Sequence, residues 1–178
     1  TVALTKIGKE GITGISNSAD ATAITISSGE IVTMSSQPRF FCGPSSNATM
    51  SNSTSVLTQI AFDTETIDVG GNFASNTFTA PVTGDYLLHF LARVDSVDIA
   101  ALYYYFFIGT SNRNYQSIMA PHWASDPEYN HFAMTVIADM DASDTATVKY
   151  QQYQGTDNHA TIVGNDLRYT HFSGYLLG

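Results

Sequence analysis

The sequence predicts an all-β sandwich, and three observations lead there. Short runs rich in β-branched and aromatic residues recur along the chain, separated by clusters of Gly, Pro, Asn, Asp and Ser. That is the spacing of strands and turns. No apolar stripe of helical period and helical length interrupts them. Charged residues make up only 13% of the 178, about half the usual share, so hydroxyl and amide side chains must form the polar surface.

Taken in order, residues 1–36 differ from the rest. They hold no aromatic residue and read as an extended β arm, with strand-like runs at Ala21 to Ser27 and Glu30 to Met34 around the turn signal Ser28-Gly29. Such an arm buries little area by itself. Residues 37–178 form the predicted domain, and its aromatic content is that of a packed core. The expected strands are Arg39–Cys42, Val56–Phe62, Asn72–Thr79, Asp85–Val94, Leu102–Gly109, Tyr115–Ala120, His131–Met140, Thr145–Tyr153 and Arg168–Leu177. Turn signals between them include Gly70-Gly71, Pro81 to Gly84, Asn112 to Asn114 and Ser143-Asp144.

One strand declares its faces. In "DYLLHFLARV", Tyr86, Leu88, Phe90, Ala92 and Val94 share a side that is wholly apolar. Leu87, His89, Leu91, Arg93 and Asp95 share the other, apolar at its start and charged at its end. A face of that kind suits a subunit interface better than open solvent. A harder case is "ALYYYFFIG", where five aromatics run from Tyr103 to Phe107. Either Tyr103, Tyr105 and Phe107 or Tyr104 and Phe106 fill the core. The remaining rings are covered by residues 1–60 folding back, the expected arrangement, or are left for a ligand.

Seven basic residues against sixteen acidic ones give a net charge of -9. A phosphate backbone is repelled by that balance, so nucleic acid is not an expected partner. The lone Cys42 cannot make an intrachain disulfide and has no zinc-type spacing around it. No segment has a signal-peptide pattern, and no apolar run approaches the roughly 18 residues of a membrane span. The opening Thr1 in place of Met leaves room for a longer parent chain. Glycosylation sequons at Asn47 and Asn52 fall in a Ser/Asn-rich stretch where chance matches are common.

Two stretches carry a family likeness. "IAFDTETIDVGGNFASNTFTAPVTGDYLLHF" (Ile60–Phe90) holds an F-D segment, a G-x-F turn at Gly71 to Phe73, and the series Phe78, Thr79, Pro81, Gly84, Tyr86. "THFSGYLLG" closes the chain, and "DASDTATVKY" precedes it, with Ser143 where a Gly is usual. In these features residues 56–178 resemble the complement C1q globular-head family. The resemblance implies a C1q/TNF-like jelly-roll β-sandwich of about ten antiparallel strands. It also implies a tight homotrimer, ligand binding on the outer surface, and no enzymatic activity. The trimer contacts it implies are Leu87, His89, Leu91 and Tyr175. Separately, "GITGISNSADATAITISSGEIVTM" resembles low-complexity passages of bacteriophage fibre proteins, and no Gly-x-y collagen period occurs. With that likeness the domain reads as the head of a viral fibre, in the virion or outside the cell. Its arm would meet other virion proteins, and its head a host cell-surface glycan or protein. The rival readings are a purely structural trimerisation or decoration module and a secreted C1q-like lectin.

A search for reactive chemistry returns little. The G-x-S-x-G elbow is absent; Ser173 sits inside the last strand, and Cys42 has no neighbouring base. Asp126, Glu128, Asp139, Asp141 and Asp144 are the carboxylates a glycosidase would draw on, with no pair placed by sequence. "DMDASD" offers Asp139, Asp141 and Asp144 as calcium ligands, without the Gly and Glu of an EF-hand loop. No cofactor is expected beyond that possible calcium. His89, His122, His131, His159 and His171 show no metal spacing, although three copies of His89 near a threefold axis would make a pH-sensitive point. "MAPHWASDPEYNHF" interleaves aromatic and polar groups as a sugar- or protein-binding loop does, so Trp123, Tyr129 and His122 are the expected ligand surface.

Overall fold

The computed structural model describes residues 24–51, 57–156 and 160–178. It divides into two units, Thr1–Ser35 and Ser36–Gly178. In the first, β1 (Thr25–Ile26) and β2 (Val32–Thr33) pair as a small hairpin. The Ser27 hydroxyl accepts from Ile31 N–H inside its turn. Parts of two expected strands, residues 21–23 and Val56, and the Asn52 sequon and His159 lie outside the described residues.

The second unit is a sandwich of two antiparallel sheets, with no helix among the described residues. One sheet runs β11 (Asn114–Met119), β10 (Tyr103–Thr110), β13 (Thr145–Tyr153), β8 (Thr77–Thr79), β7 (Phe73–Ala74), and β5 (Thr58–Gln59) also pairs with β13. The other runs β4 (Ala48–Thr49), β14 (Thr161–Ile162), β9 (Gly84–Asp95), β15 (His171–Leu176), β3 (Arg39–Gly43), β6 (Thr64–Val69). On its free side β9 pairs along its whole length with β12 (Tyr129–Met140). These are the layers of the sandwich that the strand pattern predicts, and the jelly roll that the C1q resemblance implies.

The core follows the predicted faces. Tyr86, Leu88, Phe90, Ala92 and Val94 are each 0% exposed. Phe40 stacks on Phe73 and Phe78 and meets Phe172 edge-on at 4.9 Å. The aromatic run resolves one way: Tyr104, Phe106 and Ile108 are buried, and Tyr103, Tyr105 and Phe107 face outward. Phe106 packs between Phe90 and Phe132. Tyr104 is usable inside because its hydroxyl accepts from Asp98 N–H at 2.9 Å.

Several elements depart from the strand pattern expected from the sequence, among them the short strands β4 and β14, which it does not foresee. Asn72–Thr79 is a hairpin, β7–β8, closed by Ser75 and Asn76, both with positive φ (50° and 63°). That is the primed turn which matches the twist of paired strands. Thr64–Val69 is a strand that alternation does not reveal, because as an edge beside β3 it exposes most of its side chains. The expected Val56–Phe62 strand shrinks to β5, with Ile60 and Phe62 plugging the core just beyond it.

Two positions explain motif residues physically. Gly174 of the closing F-S-G lies under the Phe40 ring: a Cβ there would stand 2.3 Å from Phe40 Cε1 and 2.9 Å from Leu88 Cδ2. Gly174→Ala is therefore expected to cost about 1–3 kcal/mol by overpacking, read as a lowered urea midpoint; an unchanged midpoint would refute the contact. Ser143, where the resembled pattern has Gly, adopts φ 78°. A side chain in that region is strained by roughly 1–2 kcal/mol, so Ser143→Gly should raise the melting temperature. No rise would mean that the turn relieves the strain elsewhere.

Candidate functional surfaces

The outward face of the seven-stranded sheet brings together the four expected interface residues. Leu87 lies opposite Ile137 on one side and Tyr175 on the other; His89 lies between Thr135 and Ser173; Leu91 lies between Ala133 and His171. Opposed side chains in such a ladder are neighbours at about 5 Å. Ile137 is 60% exposed, Tyr175 41% and Leu87 37%; across β3 that row meets Arg39, while Phe41 and Ile67 extend the neighbouring row of Thr135, His89 and Ser173. Ile137 is absent from the expected interface, although the period-2 pattern of His131, Ala133, Thr135 and Ile137 carries it. Ile67 sits in the edge strand that alternation does not reveal.

Within that face, His89 Nδ1 lies 2.8 Å from Thr135 Oγ1. Its ring is 5.4 Å from that of His171, whose Nδ1 donates to Leu167 O. Burial, and then the nearby His171, hold the His89 pKa below its ordinary 6.5. A histidine with a depressed folded pKa contributes stability that is complete above 6.5 and is lost as pH falls through the folded value. Melting temperature should therefore decline on acidification from about pH 7 to about pH 5, with a shallower slope in His89→Gln. Equal slopes would remove His89 as the cause.

At the far end of the same face Arg93 forms a bidentate pair with Asp95 (2.6 and 2.8 Å) and lies over the rings of Tyr129 and Tyr169. Tyr129 also donates to Glu128. Tyr129 therefore belongs to the charged end of this sheet. His122 and Trp123 are exposed in the loop between β11 and β12, and among the described residues no ring contact joins Trp123 to Tyr129. That loop is tied down where Ser96 and Val97 N–H groups donate to Glu128 and Pro127 carbonyls, and Ile99 N–H to Asp126.

The acidic turn borders a shallow cavity of about 170 Å³ lined by Thr83, Asp85, Asn112, Asp139 and Asp141. Asp139 pairs with Arg113, Asp141 accepts from Thr83, and Asp144 accepts from Asn112 and from Asp141 N–H. Among the described residues no three His, Cys, Asp or Glu side chains gather as a metal set. A larger cleft of about 420 Å³ lies beside Pro44, Ser45, Thr64 and Asp166. The Ser45 hydroxyl there donates to Asp63, and Arg168 lowers the Asp166 carboxyl to about 2. No histidine lines the cleft. Cys42 is fully buried, donates to Phe172 O, and has its thiol pKa pushed far up by burial, so it is packing. Asn47 Oδ1 accepts from Gly164 N–H, an amide used inside the fold.

No family model and no curated protein matches the chain. Solved structures do. The globular domain of zebrafish complement 1qA superposes with a TM-score of 0.56 at 13% identity, covering 80% of this chain and 98% of that one. This is a C1q/TNF-like fold. Murine APRIL matches at TM-score 0.55 and 14% identity over 79% of this chain and 99% of its own. The Eiger TNF of S. frugiperda matches at 0.59 and 11% over 80% and 93%. Identities this low carry the C1q/TNF-like architecture and nothing finer. No helix among the described residues is long and apolar enough to cross a membrane.

Proposed function

We propose that this chain is a non-enzymatic adhesion module that assembles as a homotrimer through the outward face of its seven-stranded sheet. The observation that carries the reading is the row Ile137, Leu87, Tyr175, three large apolar side chains left exposed side by side on a well-formed sheet. Scattered exposed apolar residues need no explanation, but a contiguous row does. Its apolar centre and charged Arg93–Asp95 end resemble the core and rim of an interface. Trimeric display makes weak single sites sufficient, since linked sites raise avidity without new contacts.

The arm's likeness to phage fibre passages extends the proposal to a fibre head on a virion. There the N-terminus engages other virion proteins, and the head, through the Trp123 loop among other surfaces, engages a host-surface glycan or protein. Light scattering after gel filtration tests the assembly: a mass of three chains supports the proposal and a monomer at micromolar concentration refutes it. Glycan and cell-surface binding by the isolated trimer tests adhesion. A trimer that binds neither leaves the structural trimerisation reading in its place.

A further inference from the structure

We infer that the outward face of β10 and β13 is a binding platform for a carboxylate-bearing glycan strand. The inference rests on the adhesion reading and names the site and ligand class for it. Outside the core, Tyr103 stands opposite Tyr153, Tyr105 opposite Gln151, and Phe107 opposite Lys149. Their rings form one continuous row. Tyr153 stacks on Tyr103 at 4.6 Å, Tyr105 follows at 4.5 Å and Phe107 at 5.4 Å. Each ring is half-buried against its neighbours, so binding would immobilise little that is not already fixed.

Charge identifies the occupant. The chain carries sixteen acidic residues against seven basic, yet none of the six strands of this sheet contains an aspartate or glutamate. Lys149 is their single charged residue, and among the described residues it makes no ion pair. The opposite sheet, by contrast, carries Glu65, Asp68, Asp85, Asp95 and Asp139 on its strands. An ammonium without an ion pair, on strands that carry no carboxylate, attracts a carboxylate. Tyrosine rings and the Gln151 amide beside it suit the apolar faces and hydroxyls of a sugar. A dry protein contact would favour aliphatic side chains, and Ile118 is the one aliphatic neighbour in the ladder. The expected cover, residues 1–60, does not account for this face through its later half. Strand β3 pairs in the opposite sheet, and β5 lies along the edge of β13.

The test is an array of neutral and uronic- or sialic-acid-bearing oligosaccharides, probed with the full chain and followed by calorimetry on the strongest ligand. Binding should be confined to acidic glycans and fall as salt rises. It should weaken at least tenfold in both Lys149→Gln and Tyr105→Ala, with oligomeric mass and melting temperature unchanged. Three results overturn the inference. If Trp123→Ala abolishes binding while Tyr105→Ala and Lys149→Gln retain it, adhesion stands and the platform falls. If the variants alter oligomeric mass, the face is a contact between copies. If no glycan binds, glycan adhesion falls along with the platform.

Discussion

Leu87→Asp is expected to convert the proposed trimer to a folded monomer. Leu87 sits at the centre of the exposed row, flanked by Ile137 and Tyr175. At 37% exposure in the single chain it tolerates a polar replacement there. In the proposed trimer the same position occurs three times. Each substitution forfeits burial of the third of the side chain still exposed, about 0.5–1 kcal/mol, and adds the larger cost of desolvating a carboxylate, several kcal/mol. Losing even about 2 kcal/mol at each of three sites weakens assembly by more than about 10⁴-fold. Sedimentation velocity should show the mass fall to one chain, with the far-ultraviolet strand signal retained. A Leu87→Asp protein that remains trimeric would place the interface on some other surface and refute the proposed assembly.

The second large effect separates two adjacent phenylalanines. Phe106→Ala should destabilise the domain by about 3–5 kcal/mol, because its ring is fully buried between Phe90 and Phe132. Phe107→Ala, one residue on, should cost under about 1 kcal/mol, because that ring lies on the outward face against Tyr105. Denaturant midpoints measure the contrast. Similar losses at both positions would mean that something covers the outward row in solution. The pair therefore tests the open face on which a glycan platform depends, independently of any ligand.

Much of the molecule is legible in the sequence because alternation is a backbone property. The faces of β9 follow from "DYLLHFLARV" alone, since a strand must turn successive side chains to opposite sides, and all five predicted core residues are buried. The same rule places Leu87, His89 and Leu91 on one surface. It does not decide the orientation of Tyr103 to Phe107, because both faces of that strand are aromatic and period two cannot choose between them. Nor does it reveal β6, whose side chains are mostly exposed. The expected ligand trio divides: Trp123 and His122 lie in one loop, whereas Tyr129 is the first residue of β12 and lies under Arg93. Closeness in sequence says nothing of that cation.

By itself the sequence determined the class of fold, the places of the long strands β9, β10, β12 and β13, the inward face of β9 and the acidic character of the whole. All of these follow from local periodicity, turn residues and composition. Only the tertiary structure decided which aromatic face enters the core, which residues stand beside Leu87, and that one sheet is free of carboxylates. Those facts depend on cross-strand register between segments far apart in the chain. Register is set by how the whole core packs, which no local window of sequence contains.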